Sequence, residues 1–303
     1  MKAAARAVRS FFSALREGPR ANRKPGKPEA PPRIGLALGG GFARGIAHAG
    51  VLDVFERYQI PIHCIAGVSA GSIAAAAYAS GASPAEIASA GCSMRLGDVA
   101  RWSLGRMGFV VTERMQRFLQ KLLKGYRFED MKIPLGVLAT DVCTGESVGF
   151  RDSGDVFLPI RASCAYPGLF QPVRHDGRLL VDGAMSMEIP AMMARLLGAT
   201  HVIAVHLPAH HGAAQPPHNV FQVVNRCFQI MQSRTEHSWR ADADLVISPN
   251  VRGIEWDGFR CGPQMLKAGE AAALAALPAI QDWLSRPQKA AGPLVELPGT
   301  LPA

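Results

Sequence analysis

A serine set between two glycines is the side chain of this sequence best suited to covalent chemistry. Ser69 lies in the segment GVSAG at residues 67–71, after a short apolar run (Ile62–Ala66) and before a series of very small residues. The pattern G-x-S-x-G between a strand and a helix is typical of a nucleophile elbow, where glycines leave room for a sharp turn. Such a turn lifts the hydroxyl above the sheet edge, near the positive N-terminus of the helix. We therefore predict that Ser69 is a nucleophile, with a purely structural tight turn as the alternative.

Three consecutive glycines supply the second group of chemically useful atoms. Gly39, Gly40 and Gly41 join a predicted strand (Arg33–Leu38) to a predicted helix (from about Ala43 to Tyr58). Exposed backbone N–H groups at such a turn attract negative charge. A phosphate-binding Walker loop is excluded because no Gly-Lys-Ser/Thr follows, and the dinucleotide motif G-x-G-x-x-G fails in either register. An oxyanion hole needs only two or three N–H donors aimed at one point, and it suits a glycine loop one strand before a reactive serine.

The rest of the chain alternates between apolar runs and helical periodicity, which favours a single α/β domain around these two turns. Further strands are predicted at Ile133–Ala139, Ser147–Phe150, Arg178–Val181, His201–His206 and Asp244–Ser248. Further helices are predicted at Ser83–Ala90, Thr112–Leu123, Val156–Ala165, Ile189–Leu197, Val220–Arg240 and Gly262–Trp283.

Two segments allow more than one interpretation. The predicted helix over Val220–Arg240 carries an apolar stripe that we expect to pack in the core; its members are Val223, Val224, Cys227, Phe228 and Met231. The segment Met94–Val111 mixes large apolar residues with glycines and arginines. We interpret it as an irregular loop packed on the core, with a mobile lid or the rim of an acyl channel as alternatives.

The charge of the chain is concentrated at its N-terminus. The first 33 residues carry nine basic and two acidic side chains, and so hold +7 of the net charge of +9. The nearly neutral remainder argues against a nucleic-acid-binding domain. Val8, Phe11, Phe12 and Leu15 share one face of a predicted amphipathic helix beside basic side chains. This pattern predicts peripheral contact with a membrane; a partly disordered tail is the alternative.

The amino-acid composition indicates the cellular compartment of the protein. The 48% hydrophobic content supports a sizeable core. No run approaches the roughly 18 apolar residues that a membrane span needs. The six cysteines are scattered and include no CxxC pair, which suggests reduced thiols. We therefore predict a cytoplasmic protein, with its basic N-terminal helix at the inner face of the membrane.

Taken together, the motifs resemble the patatin-like phospholipase family, particularly its compact bacterial members. The resemblance rests on five stretches in order: LALGGGFARGIAHAGVL, GVSAG, ATDVCTGE, YPGLFQPV and DGA. It implies a three-layer α/β/α fold with a mostly parallel central sheet, and hydrolysis of lipid or other acyl esters without a cofactor or a metal. The corresponding domain division is a basic segment with a Pro-rich linker over residues 1–32, the hydrolase domain over 33–285 and a flexible tail over 286–303.

The resemblance also implies roles for individual residues. Ser69 would be the nucleophile and Asp182 the base of a catalytic dyad, with an oxyanion hole at Gly39–Gly41 and Arg44 as an anchor of that loop. A carboxylate beside the hydroxyl can take its proton, and partial desolvation strengthens it as a base. From the residues alone, Asp182 is better explained as a turn or helix-capping aspartate. Members of the family often have glycine where this chain has Phe42, which puts acyl-chain access and loop dynamics in question.

Two other functions fit the same residues. An ordinary α/β-hydrolase would use the chain order Ser, Asp, His, and His206 at the end of an apolar strand is its best-placed histidine, ahead of His210, His211 and His237. A non-catalytic lipid-binding or regulatory protein of the same fold is the third reading. Covalent labelling of Ser69 by a fluorophosphonate would exclude that reading.

Overall fold

The sheet takes its strands from the apolar segments of the sequence. The structure is a computed structural model, and it describes residues 31–285 except 100, 106–107, 112, 209–215 and 256. Its strands are β1 (Ile34–Leu38), β2 (Ile62–Gly67), β3 (Arg101–Gly105), β4 (Gly108–Val111), β5 (Leu135–Asp141), β6 (Ser147–Phe150), β7 (Val173–His175), β8 (Arg178–Asp182), β9 (His201–Val205) and β10 (Leu245–Ile247).

Eight of these strands form one sheet, in the order β10-β9-β1-β2-β5-β8-β7, with β6 also paired to β5. The five strands from β10 to β5 run parallel to one another. The remaining three pair antiparallel, β6 and β8 with β5, and β7 with β8. The prediction of an α/β fold with a mostly parallel sheet is therefore confirmed.

Helices cover both faces of the sheet. They are α1 (Ala47–Arg57), α2 (Ala70–Ser80), α3 (Pro84–Ser93), α4 (Leu96–Val99), α5 (Glu113–Leu122), α6 (Phe157–Ser163), α7 (Ala191–Leu196), α8 (Val220–Arg240) and α9 (Gly262–Ser285). The predicted helix after the first glycine turn begins as a 3-10 segment, Phe42–Ile46, before α1.

The alternation of large and small side chains in β1 explains the three layers. Its larger residues, Ile34, Leu36 and Leu38, belong to the main apolar cluster with α1, α2 and α9. Its small residues face α7, where a Cβ at Gly35 would lie 3.2 Å from that of Ala194. Since side chains alternate across a strand, one face of the sheet builds a deep core and the other admits a helix at close range.

Three expectations about individual elements are wrong. Part of Met94–Val111 forms a short helix, α4, and an antiparallel hairpin of β3 and β4 rather than an irregular loop. The short edge strand β7 has no counterpart among the predicted strands. The apolar stripe of α8 is not core, because Val223, Cys227 and Met231 are exposed. That helix instead turns polar side chains towards the protein.

Several predicted segments lie outside the described residues. They are the basic segment and linker over 1–32, apart from its last two positions, the tail over 286–303, and the pair His210 and His211. Within the described part of the chain, no helix combines the length and the apolar composition needed to span a membrane.

Candidate active site

Ser69 occupies the turn between β2 and α2, and its backbone is strained. Its φ is 52° and its ψ is −128°, a combination that residues other than glycine rarely adopt. The Ser69 N–H donates to Ser163 Oγ at 2.8 Å, which fixes the turn from α6. A Cβ at Gly67 would lie 2.5 Å from Ser72 Cα, and one at Gly71 would overlap the end of β1. The elbow therefore requires glycine on both sides of the serine.

The sheet register brings Asp182 to the level of Ser69. Gly67 of β2 pairs with Val137 of β5, and Ala139 of β5 pairs with Asp182 of β8. Ser69 lies two residues beyond Gly67, just as Ala139 lies two residues beyond Val137. The serine and the aspartate therefore lie at the same level along the strand direction, on either side of β5.

Asp182 is a buried carboxyl in contact with the serine. It is 1% exposed and accepts the N–H of Ala184 on Oδ1 at 2.9 Å. Burial raises the pKa of Asp182 to about 7, although the hydrogen bonds from Ala184 and from the Ser69 side chain favour the charged form. A carboxylate with a pKa near neutrality can both take and return a proton at the working pH.

Two of the three loop glycines line the pocket beside this pair. Gly40 lies against the elbow, since a Cβ there would be 3.2 Å from Ser69 Cβ, and both Gly40 and Gly41 line the pocket around Ser69. No described residue accepts their N–H groups. The N–H of Gly39, in contrast, donates to Val205 O at 3.1 Å, because it continues the ladder between β1 and β9. The prediction that Gly39 is a donor therefore needs correction.

Two side chains hold this loop from behind. His48 is fully buried, and its Nε2–H donates to Gly39 O at 2.9 Å. Burial lowers the pKa of His48 to about 4, so the ring is neutral at physiological pH, and its Nδ1 has no partner among the described residues. Arg44 donates to Pro208 O at 3.4 Å and to Gly41 O at 3.5 Å. These contacts fit the predicted role of Arg44 as a loop anchor.

Phe42 continues the loop in a conformation that favours glycine. Its φ is 53°. The ring is stacked on Phe170 at 6.4 Å between centroids and tilted against Phe259 at 5.9 Å. It also lines the pocket around Ser69. The ring contacts outweigh the backbone cost of a side chain at this position.

Helix α8 provides a polar wall of the pocket. Asn225, Gln229 and Gln232 of this helix line it. The hydroxyl of Tyr166 donates to Asn225 Oδ1 at 2.9 Å, and Gln232 Nε2 donates to Ala184 O at 3.4 Å. No sequence pattern predicts this wall, because polar residues on a helix are common and become informative only once the helix is known to line the pocket around Ser69.

His206 is engaged elsewhere. Its Nε2 lies 3.2 Å from Glu188 Oε1, and its Nδ1 lies 3.1 Å from Glu236 Oε1. The described residues that line the Ser69 pocket include Asp182 and Glu188 but not His206. Both ring nitrogens of His206 are thus committed to glutamates, whereas Asp182 contacts the serine directly. In the part of the chain that the structure describes, no three His, Cys, Asp or Glu side chains are grouped so that they could hold a metal ion.

The elbow, the buried aspartate and the glycine loop fall within one family match. The family model described as patatin-like phospholipase matches residues 36–195, slightly more than half of the chain. The chain therefore belongs to the patatin-like phospholipase family, as the resemblance of its motifs predicted. The residues of the predicted dyad and oxyanion hole, and Arg44, all lie inside the matched region.

Individual relatives are similar over a comparable share of the chain. An uncharacterized NTE family protein of Mycobacterium bovis is 34% identical over 191 residues, covering 58% of this chain and 49% of its own length. Lysophospholipase NTE1 of Lodderomyces elongisporus is 31% identical over 178 residues, covering 57% of this chain and 12% of its own. This chain thus spans about half the length, or less, of the curated relatives that it matches.

A solved structure agrees at the level of the fold. VipD from Legionella pneumophila superposes with a TM-score of 0.55 at 15% identity, over 88% of this chain and 73% of that one. The agreement covers most of the described residues and confirms the patatin-like α/β architecture.

Proposed function

We propose that this chain is a serine acyl hydrolase of the phospholipase A or lysophospholipase type. The observation that carries the proposal is the contact between Ser69, in a strained elbow, and the buried carboxyl of Asp182. Membership of the patatin-like phospholipase family supports a lipid acyl ester as the substrate. The name of the related Lysophospholipase NTE1 supports the same class.

The first half of the reaction transfers the acyl group to the protein. Ser69 Oγ attacks the carbonyl carbon of the ester while Asp182 takes the hydroxyl proton. With a pKa near 7, a large fraction of Asp182 is ionised and ready to accept that proton at neutral pH. Collapse of the tetrahedral intermediate breaks the bond to the alcohol, which leaves with the proton from Asp182.

The glycine loop stabilises the negative charge of that intermediate. Gly40 and Gly41 line the pocket beside Ser69, and their N–H groups are free of acceptors among the described residues. Loss of one such donor typically costs about 10²–10³ in kcat. His48 acts as a positioning residue, because its bond to the carbonyl of Gly39 fixes the plane of the peptide that leads into Gly40.

The second half of the reaction regenerates the serine. A water molecule attacks the acyl-serine carbonyl, and Asp182 takes a proton from it as it did from the hydroxyl. The second intermediate uses the same two N–H groups. Its collapse releases the fatty acid and returns the proton to Ser69 Oγ. One carboxyl therefore serves as base and acid in both halves, without a histidine.

Substitution of the two residues tests the dyad. Ser69→Ala and Asp182→Asn should each lower kcat/KM on a soluble 4-nitrophenyl ester by several orders of magnitude, since general-base help alone is worth about 10²–10⁴. Because the two groups act as a unit, the double variant should be little worse than either single one. Mass spectrometry after fluorophosphonate treatment should find the label on Ser69.

Matched controls separate chemistry from damage to the fold. Ser233→Ala alters an exposed serine of α8, and Asp176→Asn alters an exposed aspartate beside β8. Both should retain full activity. An Asp182→Asn protein that is folded and as active as the Asp176→Asn control would overturn the dyad. A folded wild-type protein that hydrolyses no acyl ester and takes no label on Ser69 would favour the non-catalytic lipid-binding reading.

A further inference from the structure

Helix α8 is amphipathic, and the side that faces the Ser69 pocket is the polar one. The polar side chains Asn225, Gln229 and Gln232 face the pocket. The apolar residues Val220, Val223, Cys227 and Met231 recur at spacings of three and four, and so share the opposite side of the helix. A surface helix that packs by its apolar face would show the opposite arrangement. The apolar side of α8 is therefore left uncovered in the part of the chain that the structure describes.

This apolar side is an unusual concentration of exposed hydrophobic surface. Val220 is 79% exposed, Met231 60%, Val223 45% and Ile230 42%. These four account for half of the eight large hydrophobic side chains that are strongly exposed in the described part of the chain. The other four are scattered over separate elements, at Tyr58, Tyr126, Val142 and Leu274. Contiguous exposed apolar surface of this kind marks an interaction site, whereas single exposed residues are ordinary.

Positive charge borders the same side of the helix. Arg226 follows Val223 by three positions, and Arg234 follows Ile230 by four and Met231 by three, so both guanidinium groups lie beside the apolar residues. The acidic side chain of α8, Glu236, is turned inwards and paired with His206 at 3.1 Å. The exposed side thus combines apolar residues with arginines and offers no carboxylate.

We propose that the outward side of α8, defined by Val220, Val223, Ile230, Met231 and the two flanking arginines, docks this chain on the surface of an anionic phospholipid bilayer. Apolar side chains reach the boundary between head groups and acyl chains, and arginines meet anionic lipid head groups at the same depth. The choice of partner rests on the proposed function. The helix that touches the bilayer is the helix that walls the Ser69 pocket, so docking holds that pocket one helix diameter, roughly 10–12 Å, from the lipid surface.

Vesicle binding tests the docking without any turnover. All proteins carry Ser69→Ala, so that vesicles of mixed phosphatidylglycerol and phosphatidylcholine stay intact during sedimentation. Adding Val223→Ser and Met231→Ser should weaken partitioning by at least about tenfold. The reason is that two apolar side chains that would be partly buried in the bilayer are lost. Adding Arg226→Gln and Arg234→Gln instead should weaken it about fivefold per arginine on anionic vesicles, with no effect on pure phosphatidylcholine.

The matched control makes the same chemical change away from α8. Val142→Ser with Leu274→Ser also removes two exposed aliphatic side chains, and it should leave partitioning unchanged. Every variant with Ser69 restored should hydrolyse a soluble short-chain ester at the wild-type rate, which shows that the fold and the pocket are intact.

Each other outcome counts against the docking surface. Wild-type binding that the α8 substitutions leave intact, or that the control substitutions weaken equally, overturns it, as does an absence of wild-type binding. A dimer that light scattering detects and that Val223→Ser with Met231→Ser dissociates would assign this side of α8 to a second copy of the chain. If the wild-type protein binds vesicles but hydrolyses no acyl ester, the proposed function is refuted and the docking surface is not. The two results are separable because vesicle binding is measured without turnover.

Discussion

Replacing the proposed base should stabilise the protein while it removes activity. Asp182→Asn keeps the size of the side chain and an oxygen that can accept the N–H of Ala184, so the cap of the following 3-10 turn survives. The change removes a carboxylate from a site that is 1% exposed. Since burial disfavours the charged form, the variant avoids a cost that the wild-type protein bears at neutral pH.

The magnitude and its sign follow from the pKa of the carboxyl. The pKa of Asp182 rises from 3.8 to about 7 on folding, so between these values the folded protein holds a proton that the unfolded chain has lost. The contribution of Asp182 to the free energy of unfolding therefore falls as the pH rises from about 4 to about 7, by at most about 4 kcal/mol, and is level above that. The variant should gain almost nothing near pH 4 and about 2–4 kcal/mol near pH 8.

Urea unfolding followed by tryptophan fluorescence measures this difference directly. Wild type, Asp182→Asn and the exposed control Asp176→Asn are compared at about pH 4.5, 6 and 8, each with its own m-value. We expect the midpoint of Asp182→Asn alone to move to higher urea as the pH rises. If Asp182→Asn is no more stable than wild type near pH 8, burial of the charged Asp182 carboxylate does not destabilise the folded protein, and the prediction is refuted.

Four further predictions test the site and the N-terminus. The kcat/KM on a soluble ester, measured as a pH profile, should rise about tenfold per pH unit below pH 7 and level off above it, as Asp182 ionises. Phe42→Gly should cost about 1–2 kcal/mol in a urea titration through its lost ring contacts, and should shift the chain-length preference measured on an ester series. An unchanged preference would leave the ring a structural role only. His206→Ala should stay within about tenfold of wild-type activity while losing about 1–3 kcal/mol of stability; a folded protein as inactive as Ser69→Ala would favour the histidine triad. Deletion of residues 1–30 should preserve soluble-ester activity and reduce binding to anionic vesicles; equal vesicle binding by both forms would contradict the predicted N-terminal helix.

The parallel half of the fold could be predicted from sequence because its signals are local. Short apolar runs ending in glycine turns mark β1 and β2, and they are followed by a helix of clear periodicity, α1, and by a run of very small residues, α2. The antiparallel half depends on information that is not local. No local pattern in β8 indicates that it pairs antiparallel with β5. This pairing nevertheless brings the end of β8 to the elbow.

The same distinction applies to the site. Ser69 could be identified because strand, turn and helix are adjacent in the chain, whereas Asp182 depended on the family resemblance. Periodicity indicates which residues of α8 share a face but not what covers that face, and the prediction of a core stripe failed for that reason. Gly39 was misassigned because its N–H is used by β9, a strand that the chain reaches only 160 or so residues later.

Two buried groups of the site, Asp182 and His48, exchange protons in opposite directions when the protein unfolds. Between about pH 4 and 6.5, unfolding releases the proton that Asp182 holds in the folded state. Over the same interval His48, whose pKa is lowered from 6.5 to about 4 in the fold, takes up a proton when the chain unfolds. The two exchanges nearly cancel, so together these two groups add almost no pH dependence to the free energy of unfolding over this interval. At the proposed active site, the pH dependence that the buried acid Asp182 introduces is thus offset by a buried base, His48, on the other side of the glycine loop.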